Sequence, residues 1–199
     1  MPIAFSTWYA LLNNFVVEVA NFDGVDIGLL HTIREIPGFL AVGVIFVIIF
    51  VREQILGLVS LVLLGAATAF TAWFPQISGI LTLTMLSSIG FHYYETVNQS
   101  LQLQWIPKYR APQVLGWLLA VGSAASLFAF GLIVVTWEWL SLSYNIVYMI
   151  SGGATAALAA VCILLYPQFQ SPTPQRKTMI LRKRYWLYYA LQFLSLIHI

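Results

Sequence analysis

Residues 27–51 read Ile27-Gly28-Leu29-Leu30-His31-Thr32-Ile33-Arg34-Glu35-Ile36-Pro37-Gly38-Phe39-Leu40-Ala41-Val42-Gly43-Val44-Ile45-Phe46-Val47-Ile48-Ile49-Phe50-Val51, with Arg52 directly behind. The hydrocarbon core of a bilayer asks for about 20 predominantly apolar residues in one helix, and this stretch supplies them around a single Arg-Glu pair. Working outward, comparable stretches fall at about 3–20, 55–74, 77–99, 114–137 and 144–166. Composition agrees: 60% of residues are hydrophobic and 8% charged, and the mean hydropathy is +0.86. Those values lie outside the range of soluble globular chains. The fold class expected is all-α, a polytopic membrane six-helix bundle followed by the start of a seventh transmembrane helix near Arg184.

The charges give this bundle a direction. Of the nine Lys and Arg residues, all but Arg34 fall in alternate connections: Arg52, then Lys108 and Arg110, then Arg176, Lys177, Arg182, Lys183 and Arg184. The other connections carry Asp23, Asp26 and Glu138 and no base. By the positive-inside rule the amino terminus and the late basic segment face the cytoplasm of a plasma membrane, in a bacterium the inner one. A net charge of +2 split among loops offers no surface for nucleic acid. Cys162, among Ala160, Val161, Ile163 and Leu164, reads as a buried inert thiol. The first apolar stretch has no basic leader and carries Asn13, Asn14 and Glu18, so it reads as a retained helix rather than a cleaved signal.

Three segments follow. Residues 1–166 form the six-helix unit. Residues 167–183, with Pro167, Pro172, Pro174 and the basic cluster, form a cytoplasmic linker. Residues 184–199 are expected to be the cut-off start of a second bundle. Tyr189-Ala190-Leu191 repeats Tyr9-Ala10-Leu11 at the cytoplasmic start of a span. With six spans between them, the two copies keep the same orientation, which makes a parallel repeat about an axis along the membrane normal. The ending Leu194-Ser195-Leu196-Ile197-His198-Ile199 resembles a translated sequencing-adapter tail. It is expected to be non-native.

Ionisable groups in hydrocarbon cost several kcal/mol, about 2.5–3.5 on insertion scales, so each asks for a partner or a wet cavity. His31, Arg34, Glu35 and Gly38 are spaced along one helical face, which should look into the bundle. Glu18 lies near the same outer end, and an Arg34–Glu18 pair is expected ahead of Arg34–Glu35, whose members are sequence neighbours about 100° apart. Arg34 can serve as a fixed positive charge for an anionic solute, with Glu18, Glu35 or His31 exchanging a proton, or it can lock two helices as a structural ion pair. In the fourth stretch Thr84, Ser88, His92, Glu95 and Gln99 form a polar stripe that must face protein or water. Asn13 and Asn14 fall near mid-membrane, the depth of a transporter's substrate site. The candidates for solute or proton binding are therefore Asn14, Glu18, His31, Arg34, Glu35, His92 and Glu95. His92 and Glu95 share a spacing that suits metal ligands, but no second ligand set accompanies them, so no metal and no cofactor is expected. Ser88-Ile89-Gly90 does not supply the setting of an intramembrane serine protease. Gly116, Gly122, Gly131, Gly152 and Gly153 are expected to permit close helix contact, and Trp8, Trp73, Trp105, Trp137, Trp139 and Trp186 to anchor at the interfaces.

The six stretches, the basic linker, the Tyr-Ala-Leu restart, Arg34-Glu35-Ile36-Pro37-Gly38-Phe39 and Pro112-Gln113-Val114-Leu115-Gly116 together resemble the amino-terminal half of a major facilitator superfamily transporter. The likeness covers residues 1–194. It implies two parallel six-helix halves, each built from inverted three-helix repeats, with the first and fourth helices of a half bordering the central cavity. It also implies secondary active transport of a small solute by alternating access, a coupling ion such as H+, a lipid bilayer and a missing carboxy-terminal half as partners, and no enzymatic activity. Val51-Arg52-Glu53-Gln54-Ile55-Leu56-Gly57 departs from the family's Gly-x-x-x-Asp-Arg-x-Gly-Arg-Arg loop, matching only at Arg52, and the fifth stretch lacks the element of drug–proton antiporters. A divergent branch is implied. The contrasting expectation is a complete six-span intramembrane enzyme or a non-transporting scaffold, against which the unfinished seventh helix argues.

Overall fold

The structure, a computed structural model, describes residues 2–167 and 182–195, and among these it is entirely helical. The helices are α1 (Pro2–Glu18), α2 (Gly24–Leu40), α3 (Val44–Phe50), α4 (Glu53–Phe70), α5 (Ile77–Trp105), α6 (Ala111–Leu140), α7 (Tyr144–Leu165) and α8 (Trp186–Ser195). A 3-10 turn at Ala41–Gly43 joins α2 to α3, so residues 24–50 are one broken rod. Each of the six apolar stretches falls on a helix. Four segments, Gly24–Phe50, Glu53–Trp73, Ala111–Leu140 and Tyr144–Leu165, are long and apolar enough to cross a membrane. α1, at 17 residues, is short, and α5 carries the polar stripe.

Local chemistry sets the helix ends. Asn21 takes a left-handed backbone (φ 56°) in the turn after α1, and Asp23 caps α2: its Oδ1 accepts from the amides of Val25 (2.8 Å) and Asp26 (2.9 Å), while the Asp23 amide donates to Asp26 Oδ2. This capping box satisfies amides that a helix start leaves bare. The acidic residues that mark the connection by charge thus also start the next helix. α5 runs to Trp105, past the expected span end at residue 99, because hydropathy marks the edge of the apolar zone and not the end of the backbone ladder. Glu53 at the start of α4 accepts from Ser100 and Gln104 of that extension, and Pro107 forces Ile106 out of helix.

The principal packing pairs are α4 with α7, α4 with α5, α2 with α5, α1 with α6 and α1 with α7. Exchanging the triplet α1, α2/α3, α4 for the triplet α5, α6, α7 maps these five pairs onto one another: α4·α5 becomes α7·α1, α2·α5 becomes α6·α1, and α4·α7 is unchanged, whereas the smaller contact of α1 with α4 has no comparable counterpart between α5 and α7. At the contact of α4 with α7 sit Gly65-Ala66-Ala67-Thr68-Ala69 and Gly152-Gly153-Ala154-Thr155-Ala156, alike at four of five positions. A Cβ on Gly65 would lie 2.6 Å from Ala156 N and Gly152 O, and one on Gly152 would meet Ala69 N and Gly65 O closer still. Gly90 of α5 repeats the device against Leu64 N and Ser60 O, each at 2.7 Å.

Three expectations need correction. Gly116, Gly122, Gly131 and Gly153 have open space within 4 Å, so only Gly152 of that group serves a close contact inside this bundle. Trp8 is no interfacial anchor: it is 3% exposed in a core cluster with Leu12, Phe15 and Tyr148. Cys162 is a free cysteine but half-buried rather than buried. α6 buries only Ala129 and presents Trp117, Leu119, Val121, Leu127 and Phe128 outward, an apolar surface natural to lipid. Lys183–Tyr185 form a 3-10 turn that leads into α8. Most of the linker, residues 168–181, and the tail 196–199 lie outside the described residues.

Gly65→Val and Gly152→Val should each cost about 1–3 kcal/mol or more by overpacking and lower the thermal midpoint in detergent by several degrees, whereas Gly122→Ala should leave it unchanged. Equal midpoints for all three would mean that α4 and α7 do not cross at these glycines.

Candidate functional site

α1 divides its side chains between two nearly opposite faces. Phe5, Trp8, Tyr9 and Leu12, at helical spacing, turn toward α2 and α5, whereas Leu11, Asn14 and Glu18 turn toward α6 and α7. The first face closes a cavity of about 180 Å³ lined by Phe5, Trp8 and Tyr9 of α1, Arg34 and Glu35 of α2, and Ser87, Ser88, Phe91 and His92 of α5. A second chamber shares Trp8, Tyr9 and Arg34 with it and adds Leu12, Asn13 and His31.

The wall of the main chamber is aromatic. Phe5 stacks on Phe91 with centroids 4.4 Å apart and rings 17° from parallel, and Trp8 and Tyr9 continue the layer at 6.3 and 6.2 Å from Phe5. Opposite it stands an ion pair: Arg34 Nε donates to Glu35 Oε1 at 2.8 Å and Nη2 lies 2.6 Å from the same oxygen. The side chains keep 22% and 31% of their surface accessible, so the pair is reachable and not entombed.

Pro37 explains how α2 presents these groups. A proline inside a helix lacks an amide donor and crowds the carbonyl four residues back, which loosens the preceding turn. Next to that turn, the Arg34 carbonyl accepts from the buried Ser88 hydroxyl of α5. Gly38, one residue on, leaves room for the imidazole of His92: a Cβ there would lie 3.2 Å from His92 Cε1. Proline and glycine thus seat α5 against α2 and set His92 beside the ion pair.

The expected Arg34–Glu18 pair does not form. Glu18 lies on the other face of α1, where Oε2 accepts from the Tyr144 hydroxyl at 2.6 Å, in a separate pocket of about 220 Å³ with Asn14, Trp137 and Glu138. Arg34 reaches Glu35 instead, because long flexible side chains on one loosened turn can converge although their Cα–Cβ bonds diverge. Of the seven candidates, Arg34, Glu35 and His92 share the main chamber, His31 lines the second, and Asn14 and Glu18 belong to the α6–α7 side. Glu95 lines none of these pockets and accepts from Gln99 at 3.1 Å. The α5 stripe is buried at Thr84 and Ser88, half-buried at His92 and Glu95, and exposed at Gln99. Among the described residues no three His, Cys, Asp or Glu side chains converge as metal ligands.

Sequence reasoning missed the aromatic wall. Trp8 was grouped with interfacial tryptophans, and only its spacing with Phe5, Tyr9 and Leu12 could have marked it as inward-facing. No protein-family description, curated protein or solved structure matches this chain.

Thermal unfolding of single and double variants checks the pairing. Arg34→Gln and Glu35→Gln should be non-additive by about 0.5–3 kcal/mol, as residues in contact are, whereas Arg34→Gln and Glu18→Gln should add. Coupling between Arg34 and Glu18 would reinstate the pair that the helix faces disallow.

Proposed function

We propose that this chain forms the amino-terminal bundle of a secondary active transporter of the major facilitator type, a permease rather than an enzyme. It moves a small solute across the plasma membrane, in a bacterium the inner membrane, by alternating access coupled to an ion such as H+. The six helices α1, α2/α3, α4, α5, α6 and α7 are its spans, with the amino terminus and the basic linker cytoplasmic. The observation that carries the reading is the correspondence of the five principal helix-packing pairs under exchange of the two triplets, with the Gly-x-Ala-Thr-Ala segments at the crossing. Inverted three-helix units of this kind build each half of such transporters.

The cavity supports the same reading. It lies between the first helices of the two triplets, α1 and α5, with the broken rod of α2 beside them. A second bundle facing it completes the enclosure, and rocking of one bundle against the other exposes the cavity to each side in turn. Arg34, Glu35 and His92 are the groups positioned to meet the solute or the coupling ion, with His31 in the connecting chamber.

Uptake by the full-length protein in proteoliposomes, driven by an imposed pH gradient and screened over small labelled solutes, is the test. Arg34→Ala should abolish uptake with expression near normal. Uptake that survives this change removes Arg34 from the solute path, and no pH-driven uptake of any solute removes the transport reading. Orientation is checked in a Cys162→Ser background: Lys108→Cys should react with an impermeant maleimide only after the cytoplasmic face is opened, and Asp23→Cys in intact cells. The reverse pattern would invert the topology.

A further inference from the structure

The wall of the cavity contains a buried donor that nothing in the protein uses. Trp8 lines both chambers, is 3% exposed, and its Nε1 is buried without a hydrogen-bond partner. An indole N–H only donates, so what satisfies it must be an acceptor. Arg34 also lines both chambers, and its contact with one oxygen of Glu35 engages Nε and Nη2, two of the nitrogens of a group with five N–H donors. Beside these donors stands the stacked wall of Phe5 and Phe91. Unspent donors next to a flat apolar surface are complementary to a planar body that carries an anionic acceptor.

Charge adds a second condition. Arg34 and Glu35 cancel, so an anion entering alone would leave one uncompensated negative charge in a site only partly open to water, which is costly. We infer that the cavity takes a small monocarboxylic acid with a flat apolar body, bound as carboxylate to Arg34 and Trp8 while its proton resides on Glu35. This rests on the transport reading above and names its solute class. In the step, the O–H bond of the undissociated acid breaks and an O–H bond forms on the Glu35 carboxylate. The new carboxylate replaces Glu35 at Arg34, and no net charge enters. The titratable or charged groups around Glu35 are Arg34 and His31 from α2, His92 and beyond it Glu95 from α5, and the neutral Tyr9 from α1. His31 and His92 are thus the rival proton acceptors.

The experiment uses the full-length protein in detergent and benzoate as the probe. Titration calorimetry in buffers of differing ionisation enthalpy counts the protons taken up with it. Benzoate should bind with about one proton taken up, and benzamide and benzylamine should bind at least about tenfold more weakly, the worth of one good hydrogen bond or ion contact. Glu35→Gln should retain binding and lose the proton uptake. Trp8→Phe should weaken binding about tenfold with the proton count unchanged. Arg34→Gln should remove binding; should that variant not fold, Trp8→Phe and Glu35→Gln decide alone. Preference for the amide or the amine overturns the solute class, and proton uptake that persists in Glu35→Gln overturns the role of Glu35 in favour of a histidine. Transport is read separately. Benzoate that binds with its proton but is not taken up into proteoliposomes sinks the transport reading and leaves the site standing, whereas uptake of other solutes by a protein that ignores benzoate does the reverse.

Discussion

Everything in the described bundle hangs on the crossing of α4 and α7, where two helix backbones touch with no side chain between them. In lipid, apolar side chains gain nothing by leaving their surroundings, because the hydrocarbon is as apolar as the protein interior. Helices associate there through close van der Waals packing, interhelical hydrogen bonds and lipid entropy, and small residues at the contact let all three operate. Gly65 and Gly152 approach the opposite backbone reciprocally, each meeting the other and the alanine four residues beyond it. Because the same small-residue pattern occurs on both helices, the contact is nearly self-complementary, and the remaining helices pack about it.

That frame decides where the polar groups go. With α4 and α7 at the centre and Gly90 holding α5 against α4, α1 is left to pack on α6 and α7 and to cover the gap beside α2 and α5. One face of α1 then sees the α6–α7 side and the other sees the aromatic chamber. Asn13 and Asn14, adjacent in sequence, separate into different pockets. Glu18 is lost to Arg34 for the same reason and finds Tyr144. The Arg34–Glu35 pair forms by default and stays partly exposed.

α2 shows how a weakness in a helix becomes a feature of a site. Pro37 and Gly38 are poor choices for the interior of an isolated helix. Within the bundle the broken rod is held by a hydroxyl from α5, and the missing side chain at position 38 is the space His92 occupies. The same pair of residues therefore lies where α2 meets α5 and leaves room for an imidazole beside the ion pair.

The helices themselves were legible in the sequence, since every apolar stretch falls on one, four of them long and apolar enough to cross a bilayer, and caps such as Asp23 announce where a helix starts. The inward faces of α2 and α5 were legible too, because His31, Arg34 and Gly38, or Thr84, Ser88 and His92, recur at helical spacing and charge shuns lipid. What the sequence could not decide was which face of α1 looks where, since Trp8 and Glu18 are both compatible with either. Rotation of a helix about its axis is fixed by its neighbours, and in a membrane hydrophobicity does not tell the neighbour side from the lipid side. Only the packed bundle therefore sends Glu18 to Tyr144, buries Trp8 with its N–H unspent and leaves Arg34 to Glu35.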